Sequence, residues 1–457
     1  MIQRTFLAAA ILALCSTATH ATDLLQVWEA ARQHDPQGAI SDATRAAGAA
    51  RLDQAAALWR PQVGLTVGAG WASAQSQMNG AQFTAPGFGQ SSGVAFATSV
   101  NGGSSYRWSI SARQPLYNQE RSAQSRQLEV AGNASGVEWK MMQQNWMLQT
   151  AQRYFDVVLA ERRLALLQLQ QKAVNIAWVE AKDRFAIGDI PITDTYEAQA
   201  RAQALSAQAF AAGNALEAAR KVLADISGLA PQEQKLEAPS PNGVAALPVT
   251  ALADWLALAE NHNPMLQLQQ AQREAAQQEV HKHSLSAAPT LDVVAQATRE
   301  ELSGSGDFGS ASNNQSQQMV GLLLNVPLYT GGWRSAKLQE ALKLEDKARA
   351  ELERTRQQIG QMTHAAWLAV QSGQAQIAAY QAAHQASRER LAATQLGRQV
   401  GDRTTLDVLN AQNDASAAEQ SVLQASIDLL LARLQLEAAA GQLELPALQT
   451  VNAVLHP

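Results

Sequence analysis

Two aspartates on matching turns are the residues best placed by type and spacing to do chemistry. One turn reads "GDIPITD" from Gly188 to Asp194, the other "GDRTTLD" from Gly401 to Asp407. Each aspartate falls where a helix is expected to start, and side-chain oxygens there accept hydrogen bonds from unpaired backbone N–H groups. Asp194-x-x-Glu197 and Thr404-x-x-Asp407 both have capping-box spacing. Catalysis needs more, namely a nucleophile with a base in reach or converging metal ligands. Of eight histidines only His281 and His283 are close in sequence; His364 and His384 lie far along another expected helix. No phosphate loop and no His-Glu-x-x-His pattern is written. No enzyme, metal site or cofactor is expected.

Hydrophobic residues make up 46% of the chain and charged ones 16%, a folding composition. Alanine supplies much of the apolar share, and its small size and high propensity favour long, closely packed helices. Arg4, the apolar run from Phe6 to Leu14 and Thr19-His20-Ala21 read as an export signal over residues 1–21. The single cysteine, Cys15, lies inside it. Leu12-Ala13-Leu14-Cys15 has the outline of a lipid-attachment box, against which stands bulky Leu14. No later run approaches the ~18 apolar residues of a membrane helix. The net charge is −5, so no nucleic-acid partner is expected.

The two turns belong to a duplication. Gly188 and Gly401, Asp194 and Asp407, and Ala198 and Ala411 share one shift of 213 residues (401 − 188). Each half opens on an amphipathic stretch closed by His34-Asp35-Pro36 or His262-Asn263-Pro264. Pro36 and Pro264 share a shift of 228 with Pro61 and Pro289, whereas Pro115-Leu116-Tyr117 and Pro327-Leu328-Tyr329 are 212 apart. The first half therefore carries 16 extra residues between those landmarks (228 − 212). Domain boundaries are expected at 22–248 for the first repeat, with its proline-rich linker, 249–445 for the second, and 446–457 for a tail.

Within each half the hydrophobic period changes. After Pro61, Val63, Leu65, Val67, Ala69 and Trp71 alternate with small or polar residues, as do Tyr106, Trp108, Ile110 and Ala112. Leu291, Val293, Ala295 and Ala297, then Val320, Leu322, Leu324, Val326 and Leu328, repeat the pattern. Period two means strands with one apolar face. Gly/Ser/Asn-rich segments, 73–104 and 303–318, are expected as loops. Apolar-out strands with long polar loops suit an outer-membrane barrel. Four strands cannot enclose a wide pore, and lipid tolerates no open edge, so oligomerisation is implied. Helical runs follow from Asn118 to Ala186 and from Ser335 to Val400, each roughly 100 Å long if straight. Leu166, Leu169, Ala173 and Ile176, and Leu423, Ile427, Leu430 and Leu434, have coiled-coil spacing. Each quoted turn reads as the tip of a helical hairpin, with Gly188 and Gly401 supplying positive φ.

In this order the His-Asx-Pro starts, the Pro-Leu-Tyr strand exits and the doubled tips resemble the TolC-like outer-membrane efflux proteins over essentially the whole mature chain. The resemblance implies a mainly α fold with β. Four strands per chain would join a trimeric β-barrel, continued by a periplasmic α-helical barrel. It implies a homotrimeric export duct in outer-membrane lipid. A periplasmic adaptor protein would dock at the tips, coupling an inner-membrane transporter that expels small molecules or secreted proteins. A barrel-anchored coiled-coil adhesin is the alternative. The resemblance further implies a gate, with Thr193 and Asp194 beside Arg403 and Asp407 as an acid ring; helix capping alone is the competing account. Here Arg398 stands at the position of a gate tyrosine and Asn410 at that of a second pore aspartate. Gly188, Asp189, Gly401 and Asp402 would be docking tips, or the two acids simply solvated. Trp71, Tyr106 and Trp108 suit either an interfacial girdle or ordinary barrel packing.

Overall fold

The computed structural model describes residues 22–87, 89–230, 236–248, 250–307 and 309–455. The expected signal over 1–21, with Cys15, lies outside the described residues, as does part of the expected linker. The elements run α1 (Leu24–His34), α2 (Pro36–Ala57), β1 (Gln62–Ala85), β2 (Gly89–Tyr117), α3 (Gln119–Ala186) and α4 (Ile192–Ser227). A short α5 (Pro241–Ala245) precedes α6 (Leu252–His262), α7 (Pro264–Ser284), β3 (Thr290–Gly306), β4 (Gly309–Asn325), α8 (Trp333–Gln399), α9 (Thr405–Ala439) and α10 (Leu445–Ala453). The chain divides into two compact units. Of the described residues, one holds those from 22 to 46, 134 to 270 and 350 to 455, and the other those from 47 to 133 and 271 to 349. Among the described residues no helix is long and apolar enough to cross a membrane.

The larger unit has the main core. Asp23 caps α1 with a reciprocal box to Gln26, its carboxylate 2.7 Å from the Gln26 N–H. Leu24, Val27, Trp28 and Ala31 then follow at three-, one- and three-residue steps, one helical face, and all are buried. Trp28 packs edge-on against Trp146 of α3, with ring centroids 4.8 Å apart, and Trp146 donates its indole N–H to Asp35 at 2.9 Å. Tyr154, Phe155, Ile427, Leu430 and Leu434 belong to the same buried cluster. The expected α9 seam is therefore buried within the chain. That expected on α3 is so only in part: Ala173 packs inward beside Leu167, Val174 and Ala177, whereas Leu169 and Ile176 are exposed. Helix α3 has apolar residues on more than one stripe, and only the position of its partner selects among them.

The smaller unit contains one antiparallel sheet in the order β1-β2-β3-β4. Its register sets Val67 opposite Trp108, Arg107 opposite Glu300 and Val293 opposite Leu322. Strand alternation puts Leu65, Ile110, Val293 and Leu322 on one face. On the other face Arg107 binds Glu300, its Nε 3.0 Å from the carboxylate, and Ser109 meets Thr298 at 3.0 Å. Arg113 pairs there with Asp292, which is wholly buried. The apolar face is bare in the single chain, with Val320 at 81% exposure and Trp71 at 80%.

Two strand expectations change. The segments 73–104 and 303–318 are not loops: β1 and β2 stay paired as far as Ala85↔Gly89, and β3 and β4 as far as Gly306↔Gly309. Strand pairing is made by backbone groups, so it continues where both faces are wet and hydrophobic alternation falls silent. Val326 and Leu328 lie beyond β4. Gly89-Gln90-Ser91-Ser92-Gly93 has nucleophile-elbow spacing but lies within β2, with no strand-to-helix turn to present the serine. Ser76 lies opposite Thr98 in the extended hairpin. Ser76→Cys with Thr98→Cys should therefore close an intramolecular disulfide under mild oxidation, read as loss of both free thiols; two persistently free thiols would mean an unpaired loop.

Candidate functional site at the helical tips

Both hairpin tips end α3 and α8 in the same way. The N–H of Asp189 bonds the Arg184 carbonyl at 2.9 Å, and that of Asp402 bonds the Gly397 carbonyl at 2.9 Å. These six-to-one bonds close a left-handed helix stop, which needs positive φ at the preceding residue; Gly188 has φ 78° and Gly401 φ 85°. The side chains then diverge. In the first tip Arg184 reaches forward to Asp189 at 2.6 Å. In the second the matching position is Gly397, and Asp402 has only Arg403, at 3.9 Å.

The helix starts also differ. Thr404 caps α9 by accepting from the Asp407 N–H at 3.1 Å, while Asp407 accepts from the Thr404 N–H at 2.9 Å. That expected box is present. The Asp194-x-x-Glu197 box is not. Helix α4 starts earlier, its N-cap is Pro191, and no side chain caps it. Proline has no side-chain acceptor, so Asp194 sits in the first turn and accepts instead from the Thr193 hydroxyl at 3.2 Å. Hydrogen bonds from the Thr404 backbone and hydroxyl, with the nearby Arg403 charge, hold the Asp407 carboxyl below the usual carboxylate range.

A cavity of about 850 Å³ separates the two tips, lined by Glu180, Arg184, Asp194, Arg398, Asp402 and Arg403 among others. Two links cross from one hairpin to the other. Arg398 of α8 donates to both carboxylate oxygens of Glu180 on α3, one of them at 2.7 Å. Arg201 of α4 donates to the Asn410 amide oxygen of α9 at 2.6 Å. Behind them Leu409 packs on Val174, Ala177, Ala202 and Leu205. The two helical hairpins are thus joined at their tips.

The family model for outer membrane efflux proteins matches residues 27–229 and 255–442, most of both halves. The chain belongs to that family. It is 27% identical to outer membrane protein TolC of Escherichia coli K12 over 448 residues, covering 96% of this chain and 86% of that protein. It is 28% identical to the proteases secretion protein PrtF of Dickeya chrysanthemi over 449 residues, or 97% and 93% of the two chains. Its fold matches the crystal structure of outer membrane protein VceC from Vibrio cholerae with a TM-score of 0.69 at 18% identity, over 92% of this chain and 97% of that one.

Within this efflux-family chain, Asp194 and Arg403 line one cavity, but Arg403 pairs with Asp402 and not with Asp194. The cations that cross are Arg398 and Arg201, and of these Arg398 meets an acid. Its partner Glu180, like Arg201, carries no local sequence signal, because each link spans more than two hundred positions. Ile187 and Val400, at equivalent places beside the tip glycines, are 81% and 74% exposed. Their signal was available in the repeat itself, as an apolar residue before each Gly-Asp. The lowered carboxyl of Asp407 sets a pH dependence. Its stabilisation of the α9 start is complete above the unfolded carboxylate value, near ~4, and is lost as pH falls through the lower folded value. Thr404→Ala removes the hydroxyl bonds, so Asp407 should titrate nearer the ordinary range. Acid-induced loosening, read by hydrogen exchange of the 405–408 amides, should then begin at higher pH than in the unaltered protein; coincident profiles would contradict the cap's role.

Proposed function

We propose that the protein is a homotrimeric export duct of the outer membrane, gated at its periplasmic tips and served by an adaptor and an inner-membrane transporter. It would pass small molecules or secreted proteins and perform no chemistry on them. The observation that carries this reading is the sheet: four strands with an exposed apolar face and two unpaired edges. Lipid satisfies no backbone N–H or carbonyl, so copies must pair edge to edge until the sheet closes. Each copy then brings two helical hairpins to one ring, which explains why the tip is written twice. Light scattering from detergent-solubilised protein should give three times the mass of the mature chain, detergent excluded, the whole chain with its signal being 48.9 kDa; a single chain would remove the architecture.

At the tips, Ile187 and Val400 beside Gly188-Asp189 and Gly401-Asp402 form the docking surface for the adaptor. Apolar side chains at an exposed turn gain by burial against a partner, and the flanking acids orient it. The gate is held by the crossing links. Thr193, Asp194, Arg403, Asp407 and Asn410 line the closure, and Arg398 on Glu180 takes the role that a tyrosine would have. Both members are over a third exposed, so one pair contributes only about 0.2–1 kcal/mol. Three copies total about 0.6–3 kcal/mol, enough to bias a closed state yet open to an attached partner. Arg398→Glu sets two acids face to face and should raise single-channel conductance in planar bilayers. Adding Glu180→Arg should restore the low value. Unchanged conductance in the single variant would place the gate elsewhere.

A further inference from the structure

The sheet contains six charged residues: Arg107, Arg113, Asp292, Arg299, Glu300 and Glu301. Strands β1 and β4 have none. Arg107–Glu300 and Arg113–Asp292 neutralise one another on the face opposite the apolar row. Arg299 and Glu301 remain, and alternation puts both on the apolar face with Leu291, Val293, Ala295 and Ala297. Among the described residues no carboxylate stands within ion-pairing distance of Arg299. Its cross-strand neighbours are Trp108 of β2 and Ser316 of β4, both in the same chain, so the position is complete without a second copy.

Depth follows from counting along β3. Eight residue steps separate Leu291 from Arg299, about 27 Å of strand, or about 20 Å across a membrane at the usual barrel tilt. The lipid-facing apolar band of such barrels is about 25 Å tall, so Arg299 stands at its far edge, away from the strand ends joined to helices. There Trp108 and Tyr106 are both exposed, as interfacial aromatics are. A cation in mid-band would be costly, but at this level the stem lies on apolar surface while the guanidinium reaches the headgroups. Its planar fork matches phosphate oxygens. Glu301 stands two residues farther out, nearer bulk water.

We propose that Arg299, flanked by Trp108 and Tyr106, binds the phosphate of a lipid headgroup in the outer leaflet. The site rests on the outer-membrane placement of the sheet and is independent of the gate. Full-length protein in a neutral detergent is titrated with lipid A carrying its phosphates and with the dephosphorylated lipid. The unaltered protein should bind the phosphorylated probe about fivefold more tightly, the effect of one basic residue beside an anionic surface. Arg299→Gln should bind both probes alike, and Arg299→Lys should keep part of the preference. On the unaltered protein alone, the phosphorylated probe should protect Arg299 from phenylglyoxal, read by peptide mass spectrometry, while the dephosphorylated one should not. A protein indifferent to phosphate, equal modification with both probes, or a preference that survives Arg299→Gln would each overturn the site.

Discussion

The outer edges of β1 and β4 impose the constraint on which the remainder depends. Each edge presents a row of backbone donors and acceptors, and the face beside them is apolar and bare. In water those edges would be solvated; in hydrocarbon each unsatisfied group costs several kcal/mol. The apolar face excludes the first environment and the edges exclude solitary residence in the second. Association of copies is the escape open to a sheet of this size. In the proposed homotrimer, a ring of sheets would in turn demand a ring of helices of matching symmetry, to which every copy would contribute both its hairpins.

At the tips the same backbone turn is used twice, and the side chains set on it make the two hairpins unequal. Arg184 closes the first turn on its own Asp189. Gly397 occupies the equivalent place in the second, and Arg403 lies back across it: a Cβ there would come within 2.8 Å of the Arg403 Cγ. Arg403 is thereby drawn toward its own hairpin, and the longer reach falls to Arg398, which finds Glu180. Asn410 is likewise engaged by Arg201, so its amide serves as an acceptor within the chain.

Much of this was legible in the sequence, for reasons that can be named. The prolines at 36 and 264 open α2 and α7, where a missing N–H costs nothing because the first turn has no partner for it, and glycine before Asp189 and Asp402 marks a left-handed stop. Alternation exposed the lipid-facing rows because one face of each strand must be apolar. The same signal vanished in 303–318, where both faces are polar and only backbone pairing continues, and was broken up in 73–104 by shifts of register. Pro191 against Thr404 was visible but outweighed by the matching aspartates three residues on, and so one capping box was expected where none can form. The crossing links could not be read, because Glu180 and Arg201 are ordinary helix-surface charges until the second hairpin is laid beside them.

The distribution of charge bears on where such a duct selects its cargo. On the face opposite the lipid row, every charge of the sheet is matched: Arg107 with Glu300 and Arg113 with Asp292. Matched ion pairs produce a field that falls away within a Debye length and favours neither sign of solute. Uncharged β1 and β4 add nothing to it. At the tips, by contrast, three acids and three bases border a single cavity, and several are tied by weak, partly exposed links. Discrimination by charge needs unpaired groups or groups that can be unpaired, and the tips have them where this face of the sheet does not. In the proposed duct, selection and control would fall to the helical end and to whatever engages it, while the sheet would offer a neutral exit.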